Sequence, residues 1–188
     1  MGLYLSDAGK TWADPVTFAD GKSAGKGHWH GRIIRLQNNQ LFTLFWTGDT
    51  KIGGGMPLHR CRGNADGRDW STPESTNVLG QTNWPAELPD GRMVVIYTVR
   101  ETQSPGFYAA CSEDGGLSWN LDRQVHVWDA TGRDKIGVNS HDSYPHSHDT
   151  ISFGAPTSIV MDNGDVFCTF WCTEASVTQT KFALLQLE

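Results

Sequence analysis

The chain is short of charge. Only 19% of its 188 residues are Asp, Glu, Lys or Arg, and the balance is acidic, with a net charge of −6 and a pI near 5.6. A surface of that sign does not suit polyanions, so neither nucleic acid nor an anionic membrane is expected as a partner. Long apolar runs are absent as well. No stretch has the length of a bilayer-spanning helix, and the first residues lack the charged and apolar regions of a signal peptide. The opening Met1-Gly2-Leu3-Tyr4-Leu5-Ser6 fits a myristoylation pattern in form, but a strand is the simpler reading. The compartment stays open. Cysteine is scarce: there are four, too few and too irregularly spaced to read as a disulfide framework. Cys168 and Cys172 share one face of an expected strand, about 13 Å apart and out of reach of each other. Four cysteines allow three pairings and nothing selects one, so they read as small buried hydrophobes.

What is present points to a turn-rich β protein: 21 Gly, eight Trp and eight Phe. Trp119 closes the segment Ser112-Glu113-Asp114-Gly115-Gly116-Leu117-Ser118-Trp119. This is the Asp-box pattern Ser-x-Asp-x-Gly-x-Thr-Trp, with Ser118 in place of Thr. Leu5-Ser6-Asp7-Ala8-Gly9-Lys10-Thr11-Trp12 keeps the Asp, Gly, Thr and Trp, and Gly63-Asn64-Ala65-Asp66-Gly67-Arg68-Asp69-Trp70 is a degenerate version with its Asp displaced. The physics of such a turn is local. A small acceptor and a carboxylate bond the turn amides, a glycine takes positive φ, and the Trp plugs between sheets. Asp7, Asp66 and Asp114 therefore read as structural. Three copies at wide, similar intervals indicate a repeat.

A second element interleaves with the boxes. Segments 32–36 and 41–46 flank Gln37-Asn38-Asn39-Gln40, segments 85–88 and 93–97 flank Pro89-Asp90-Gly91-Arg92, and segments 156–161 and 166–171 flank Asp162-Asn163-Gly164-Asp165. Each reads as two strands joined by a tight turn. Third strands are expected at 58–62, 107–111 and 181–187, and fourth strands at 16–18, 75–78 and 124–127. Four antiparallel strands per unit describe a propeller blade. The expected fold is all-β, an incomplete six-bladed propeller holding about three blades' worth of four-stranded antiparallel sheets. In this reading residues 1–188 form a single partial propeller. Residues 1–27 are the end of a blade plus a loop, 28–79 and 80–127 are blades, 128–155 is a long loop, and 156–188 supplies three strands of the last blade. Missing N-terminal blades or a second chain are then needed to close the ring. A compact β-sandwich of the same strands is the alternative.

Beyond the boxes, three stretches carry a family resemblance. They are Gly80-Gln81-Thr82 with Pro85 and Leu88-Pro89-Asp90-Gly91-Arg92; Phe153-Gly154 with Pro156; and Asn163-Gly164-Asp165-Val166-Phe167 running to Phe170-Trp171-Cys172 and Glu174. On these the chain resembles the sialidase-like BNR/Asp-box superfamily of six-bladed propellers, in particular the C-terminal part of a bacterial sialidase-family protein. The resemblance implies that the chain's own N-terminal segment supplies the outer strand of the last blade. It also implies a glycan in the central pocket, and a glycoside hydrolase as the leading reading. A non-catalytic propeller that binds glycans or proteins is the alternative, and a purely structural repeat array is the third. Sialidases hold a sugar carboxylate with arginines and attack with a Tyr activated by Glu. This chain has Gly154-Ala155-Pro156 where that Tyr is expected and Asn83-Trp84-Pro85 where that Glu is expected.

In a propeller the pocket is lined by loops before first strands and after second strands, and that rule selects the candidates. Arg100 is the carboxylate-binding candidate, since a guanidinium matches a carboxylate in bidentate geometry. Asp49, Glu101 and Glu174 are the catalytic candidates, as carboxylates able to serve as acid or base. Trp84, Asn83, His28 and His30 are the substrate-binding candidates, with Trp29 beside them as a second ring able to stack on a sugar. Lys51 lies on the same rim. His141-Asp142-Ser143-Tyr144-Pro145-His146-Ser147-His148-Asp149 has the composition of a metal cluster, but its spacing matches no standard site. No metal and no cofactor are expected.

Overall fold

The computed structural model describes residues 2–4, 8, 10–100, 102–132 and 152–186. Among these residues thirteen strands form four antiparallel sheets in chain order. β1 (Gly2–Tyr4) and β2 (Ala13–Val16) make the first. The second contains β3 (Lys26–Arg35), β4 (Leu41–Asp49), β5 (Gly55–Gly63) and β6 (Glu74–Ser75). The third contains β7 (Asn83–Glu87), β8 (Met93–Val99), β9 (Gly106–Ser112) and β10 (Val125–Asp129). The fourth contains β11 (Phe153–Val160), β12 (Val166–Glu174) and β13 (Val177–Leu185). Among the described residues there is no α-helix, only a 3₁₀ turn at Leu121–Arg123.

The first two strands of each larger sheet are joined by the same backbone frame. Leu36 N donates to Gln40 O, Leu88 N to Arg92 O and Met161 N to Asp165 O, each at 2.8 Å. Inside each frame Asn39, Gly91 and Gly164 take the left-handed conformation, which Asn and Gly adopt at little cost. The turn chemistry in the sequence thus fixes three hairpins.

The third sheet is the centre of the packing. Every residue of β8 except Val99 is buried, because its alternate side chains serve two cores. Met93, Val95 and Tyr97 meet Phe42, Leu44, Leu58 and Val78 of the second sheet and its loops. Val94 and Ile96 meet Val166, Cys168, Phe170 and Cys172 of the fourth. Phe107 and Phe170 lie 4.2 Å apart between ring centroids. Burying such a side chain contributes about 1.5–3 kcal/mol, so these seams hold the sheets together.

The turn before Trp119 is built around one carboxylate. Ser112 Oγ donates to Asp114 Oδ1 at 2.8 Å, Ser118 Oγ donates to Oδ2 at 2.5 Å, and Leu117 N and Ser118 N donate at 3.0 and 2.9 Å. Gly116, at φ +84°, sends its N–H to Ser112 Oγ at 2.9 Å. Trp119 is only 3% exposed and packs in the core between the second and third sheets. Asn77 locks it by accepting from Trp119 N and donating to Trp119 O, both at 2.8 Å. The degenerate turn at 63–70 uses Asn64 instead, whose Oδ1 accepts from Arg68 N at 3.0 Å and Asp69 N at 3.2 Å. Its Trp70 is half-buried beneath Phe18, 5.3 Å away. Trp12 is 63% exposed among the described residues, and Asp7 lies outside them.

Several strand limits differ from expectation. Residues 26–31, which precede the first strand expected at 32–36, belong to β3, where a bulge between Trp29 and Arg32 lets the strand run on to pair Lys26 with Asp49. Trp128, read as loop, lies in β10. β6 has only two residues: Thr76 N still donates to Leu58 O at 2.9 Å, but Leu58 N donates to Val78 O at 2.8 Å, which breaks the register. All four cysteines are free thiols, Cys61, Cys168 and Cys172 buried and Cys111 partly so.

Candidate functional site

β3, β7 and β11 each begin at the same end of their sheets as β4, β8 and β12 finish, because each pair is an antiparallel hairpin. The residues selected from the sequence lie at these ends, but the fold sorts them onto different faces and partners.

Arg100 joins the third sheet to the fourth. Its Nη2 and Nε donate to Phe153 O at 2.7 and 3.3 Å, and Nη1 donates to Gln81 Oε1. The guanidinium also lies over the Phe153 ring, 5.2 Å from its centroid. A Cβ on Gly154 would stand 2.6 Å from Nη2, so glycine is required for this approach. Two of the stretches that carry the family resemblance, Gly80-Gln81-Thr82 and Phe153-Gly154, therefore meet at Arg100. Asn83 is 1% exposed. Its Nδ2 donates to Gln81 O at 3.1 Å, while its Oδ1 finds no hydrogen-bond partner among the described residues. Trp84 is half-buried, with the Arg32 guanidinium 5.2 Å from its ring centroid. Arg32 thus reaches from the second sheet to the third, a cation–π contact across the seam.

The histidines separate. His30, at φ +50° in the bulge, stacks on Trp46 with centroids 5.9 Å apart. His28 pairs with Thr47 on the opposite face of the sheet from Trp29 and Trp46. There it lies 5.5 Å from His59 and 5.3 Å from Phe45, away from Arg100, Asn83 and Trp84. Burial, then His59 and Lys26, push its pKa below the usual imidazole value, against a smaller pull from Asp20. His59 receives a 2.9 Å contact from Pro57 O at Nδ1 and a 3.0 Å contact from Lys26 Nζ at Nε2. That pattern fits a neutral ring with its proton on Nδ1.

The carboxylates have structural partners. Asp49 ends β4, and its Oδ1 accepts from Lys51 N at 2.7 Å and Ile52 N at 3.0 Å. These bonds, that from Ile52 first, hold its carboxyl below the ordinary range. Glu174 ends β12 and takes Lys181 Nζ and Gln179 Nε2, both at 2.7 Å. It stands two residues beyond Cys172, which pairs with Phe153, so it shares an end of the fourth sheet with the Arg100 contact. Asp49 and Glu174 lie on the two sheets that flank the third. Glu101 and the His141–Asp149 stretch lie outside the described residues.

Sequence reasoning missed Arg32, Trp46 and the joining role of Gln81. Gln81 stood in a motif, and Arg32 is a charge on an inner strand. Their partners come from neighbouring sheets, which local spacing does not reveal.

The chain matches no protein-family model and no curated protein. Solved structures do resemble it. A protein of unknown function from Dyadobacter fermentans aligns at TM-score 0.67 and 15% identity, over 99% of this chain and 45% of that one. The Hadza microbial sialidase Hz136 aligns at TM-score 0.56 and 13% identity, over 96% of this chain and 37% of that one. A fructofuranosidase from Schwanniomyces occidentalis, in complex with fructose, aligns at TM-score 0.53 and 12% identity, over 85% and 33%. At these identities the likeness is one of fold alone. The chain spans less than half the length of each of these structures.

Proposed function

We propose that this chain is the glycan-binding portion of a sialidase-like glycoside hydrolase whose further blades complete a six-bladed propeller. The observation that carries the reading is convergence. The ends of three successive sheets carry Arg32 onto Trp84 across the second and third sheets, and Arg100 with Gln81 onto Phe153 across the third and fourth, with Asn83 bonded to Gln81 between them. Aromatic rings with a few placed polar groups are the usual lining of a carbohydrate site. In this reading Arg100 and Arg32 supply cationic donors for an acidic glycan, and Trp84 and His30 supply walls. Asp49, Glu101 and Glu174 are the candidates for acid, base or electrostatic roles. Asp49 suits a base better than an acid, since its amide bonds favour the ionised form. His28, on the other face, is proposed only as a neighbour of the site. The blade limits 28–79 and 80–127 belong to the same proposal.

One observation favours a second reading, a propeller that binds glycans without cleaving them. Both described carboxylate candidates, Asp49 and Glu174, already hold turn amides or a lysine. The test pairs binding with turnover. The 188-residue chain is assayed against fluorogenic sialosides, uronides and neutral glycosides, beside Asp49→Asn, Glu101→Gln and Glu174→Gln. Hydrolysis reduced by about a hundredfold or more in one of these variants supports the enzyme. Glycan binding without hydrolysis supports the module, and the absence of both overturns the carbohydrate reading. Arg100→Ala should weaken binding of an acidic glycan far more than Arg68→Ala, which alters only the turn before Trp70.

A further inference from the structure

In the two Asp-box turns that meet a neighbour, the closing tryptophan packs toward the sheet before its own. Trp119, from the third sheet, packs with Phe42, Leu44 and Leu58 of the second, and Asn77 from the loop after β6 holds its backbone. Around it, Gly115 O accepts from Arg62 Nη2 at 2.9 Å and Arg60 Nη1 at 3.3 Å. A Cβ on Gly116 would stand 2.6 Å from the Phe42 ring. Trp70, from the second sheet, lies beneath Phe18 on the side of the first. Trp12 holds the same place in the first turn, where Ala8 takes φ +59° as Gly115 takes φ +71°. Among the described residues no sheet precedes the first, and Trp12 is 63% exposed against 3% for Trp119. Leu3 adds to this surface. It is 49% exposed, and strand alternation turns it away from Phe18, which a Cβ on Gly2 would face at 4.0 Å.

The fourth sheet presents the matching surface. The hairpin frames place Asp165 where Gln40 stands, so the registers of the second and fourth sheets can be laid over each other. Phe167 then takes the place of Phe42, Ile159 that of Ile34, Leu184 that of Arg62 and Phe182 that of Arg60. The fourth sheet thus repeats the face that receives Trp119, with two cations replaced by apolar side chains. Ile159, Phe182 and Leu184 are 61%, 70% and 48% exposed, and Phe167 stacks on Phe182. We infer that this face docks the first sheet of a second copy of this chain, with Trp12 of that copy seated on Phe167, Phe182 and Leu184. The chemistry matches on both sides, since an indole gains most against aromatic and aliphatic carbon. The chain carries both halves itself: an uncovered tryptophan, and an uncovered face that repeats a socket already in use. The contact is heterologous, with the first sheet of one copy on the fourth sheet of the next. It does not rest on the glycan reading, because it concerns sheet faces and not the strand ends where that site lies.

Variants of the full chain separate the two halves. Trp12→Arg removes the tryptophan and keeps the face, and Phe182→Lys with Leu184→Lys does the reverse. Trp12→Ala and Ile159→Lys are second variants of each half, used wherever a first one loses its strand signal in circular dichroism. In sedimentation velocity at tens of micromolar, the parent should exceed the monomer mass, and each variant alone should sediment as a monomer. Mixed together, copies without the tryptophan and copies without the face should form a one-to-one pair and nothing larger, since only one junction remains between them. A parent that stays monomeric overturns the inference. So does a Trp12→Arg chain that associates like the parent, which would mean that two fourth sheets meet face to face. A mixture that stays monomeric overturns it as well. Each of these results leaves the glycan reading to its own assays.

Discussion

At the scale of single residues, Asp114 and Cys61 show environment setting chemistry in opposite directions. Burial works to raise the Asp114 pKa, but hydrogen bonds from Ser118, Ser112 and Leu117 outweigh it and bring the value down to about 2, from 3.8 in the free side chain. A depressed carboxylate stabilises the fold above its unfolded pKa, and that contribution is lost as pH falls through the folded one. The window is therefore from about pH 4 down to about pH 2. Asp114→Asn should cost on the order of 1 kcal/mol at neutral pH, once the shift is discounted for the exposure of the turn, and should flatten the loss of Tm across that window. Identical acid slopes for variant and parent would contradict this account. Cys61 goes the other way. Burial, with some help from Glu74 and against Arg60, pushes its thiol up to about 12. Since the thiolate is the nucleophile, Cys61 should resist iodoacetamide at pH 8 in the native chain and react within minutes in denaturant, as read by mass spectrometry. Asp114 was legible in the sequence because all its partners lie within four residues. Arg100 was legible as a position only, because Gln81 and Phe153 reach it from 19 and 53 residues away.

At the scale of elements, turn chemistry explains which hairpins could be read ahead. The Asn39, Gly91 and Gly164 turns announce themselves through residues that accept positive φ. The β12–β13 turn does not, since it places Ala175 and Ser176 at φ +47° and +64°, and neither residue type signals that conformation. The start of β3 was hidden for another reason. Lys26, Gly27 and His28 have no strand pattern, and they become strand because the bulge before Arg32 carries them along β4. That extension creates the Lys26–His28–His59 cluster on the face covered by Phe18. Both imidazoles are held below their ordinary value of 6.5. Their contribution is complete above that pH and falls as pH drops toward the folded values, since the unfolded chain takes up protons first. Tm should therefore fall over the interval below about pH 6.5, and His59→Asn should shrink that fall. A pH-independent Tm across this interval would show that the cluster accommodates its charge.

At the scale of the whole molecule, the fourth sheet leaves one face without a neighbour among the described residues. Val166, Cys168, Phe170 and Cys172 turn inward to the third sheet. On the other side, the register aligns Ile159 with Phe167 and Leu184, and Thr157 with Thr169 and Phe182. Ile159, Leu184 and Phe182 are 61%, 48% and 70% exposed, and Phe167 stacks on Phe182 with centroids 5.5 Å apart. Isolated apolar residues on a surface are ordinary, but a row of them across three strands marks a contact face. On the propeller reading proposed above, a blade buries both faces, so this face suits an adjoining sheet from further sequence or from a second copy. In either case the 188-residue chain alone should associate in a concentration-dependent way. Sedimentation velocity should show species larger than the monomer, with binding of a hydrophobic dye that falls as association proceeds. Phe182→Lys with Leu184→Lys places two charges on that face without touching the inner core. The double variant should shift the chain toward monomer while keeping its strand signal in circular dichroism. A parent chain that sediments as a monomer at tens of micromolar, binds no dye and melts cooperatively would mean that this face is tolerated in water, and the blade argument built on it would fall.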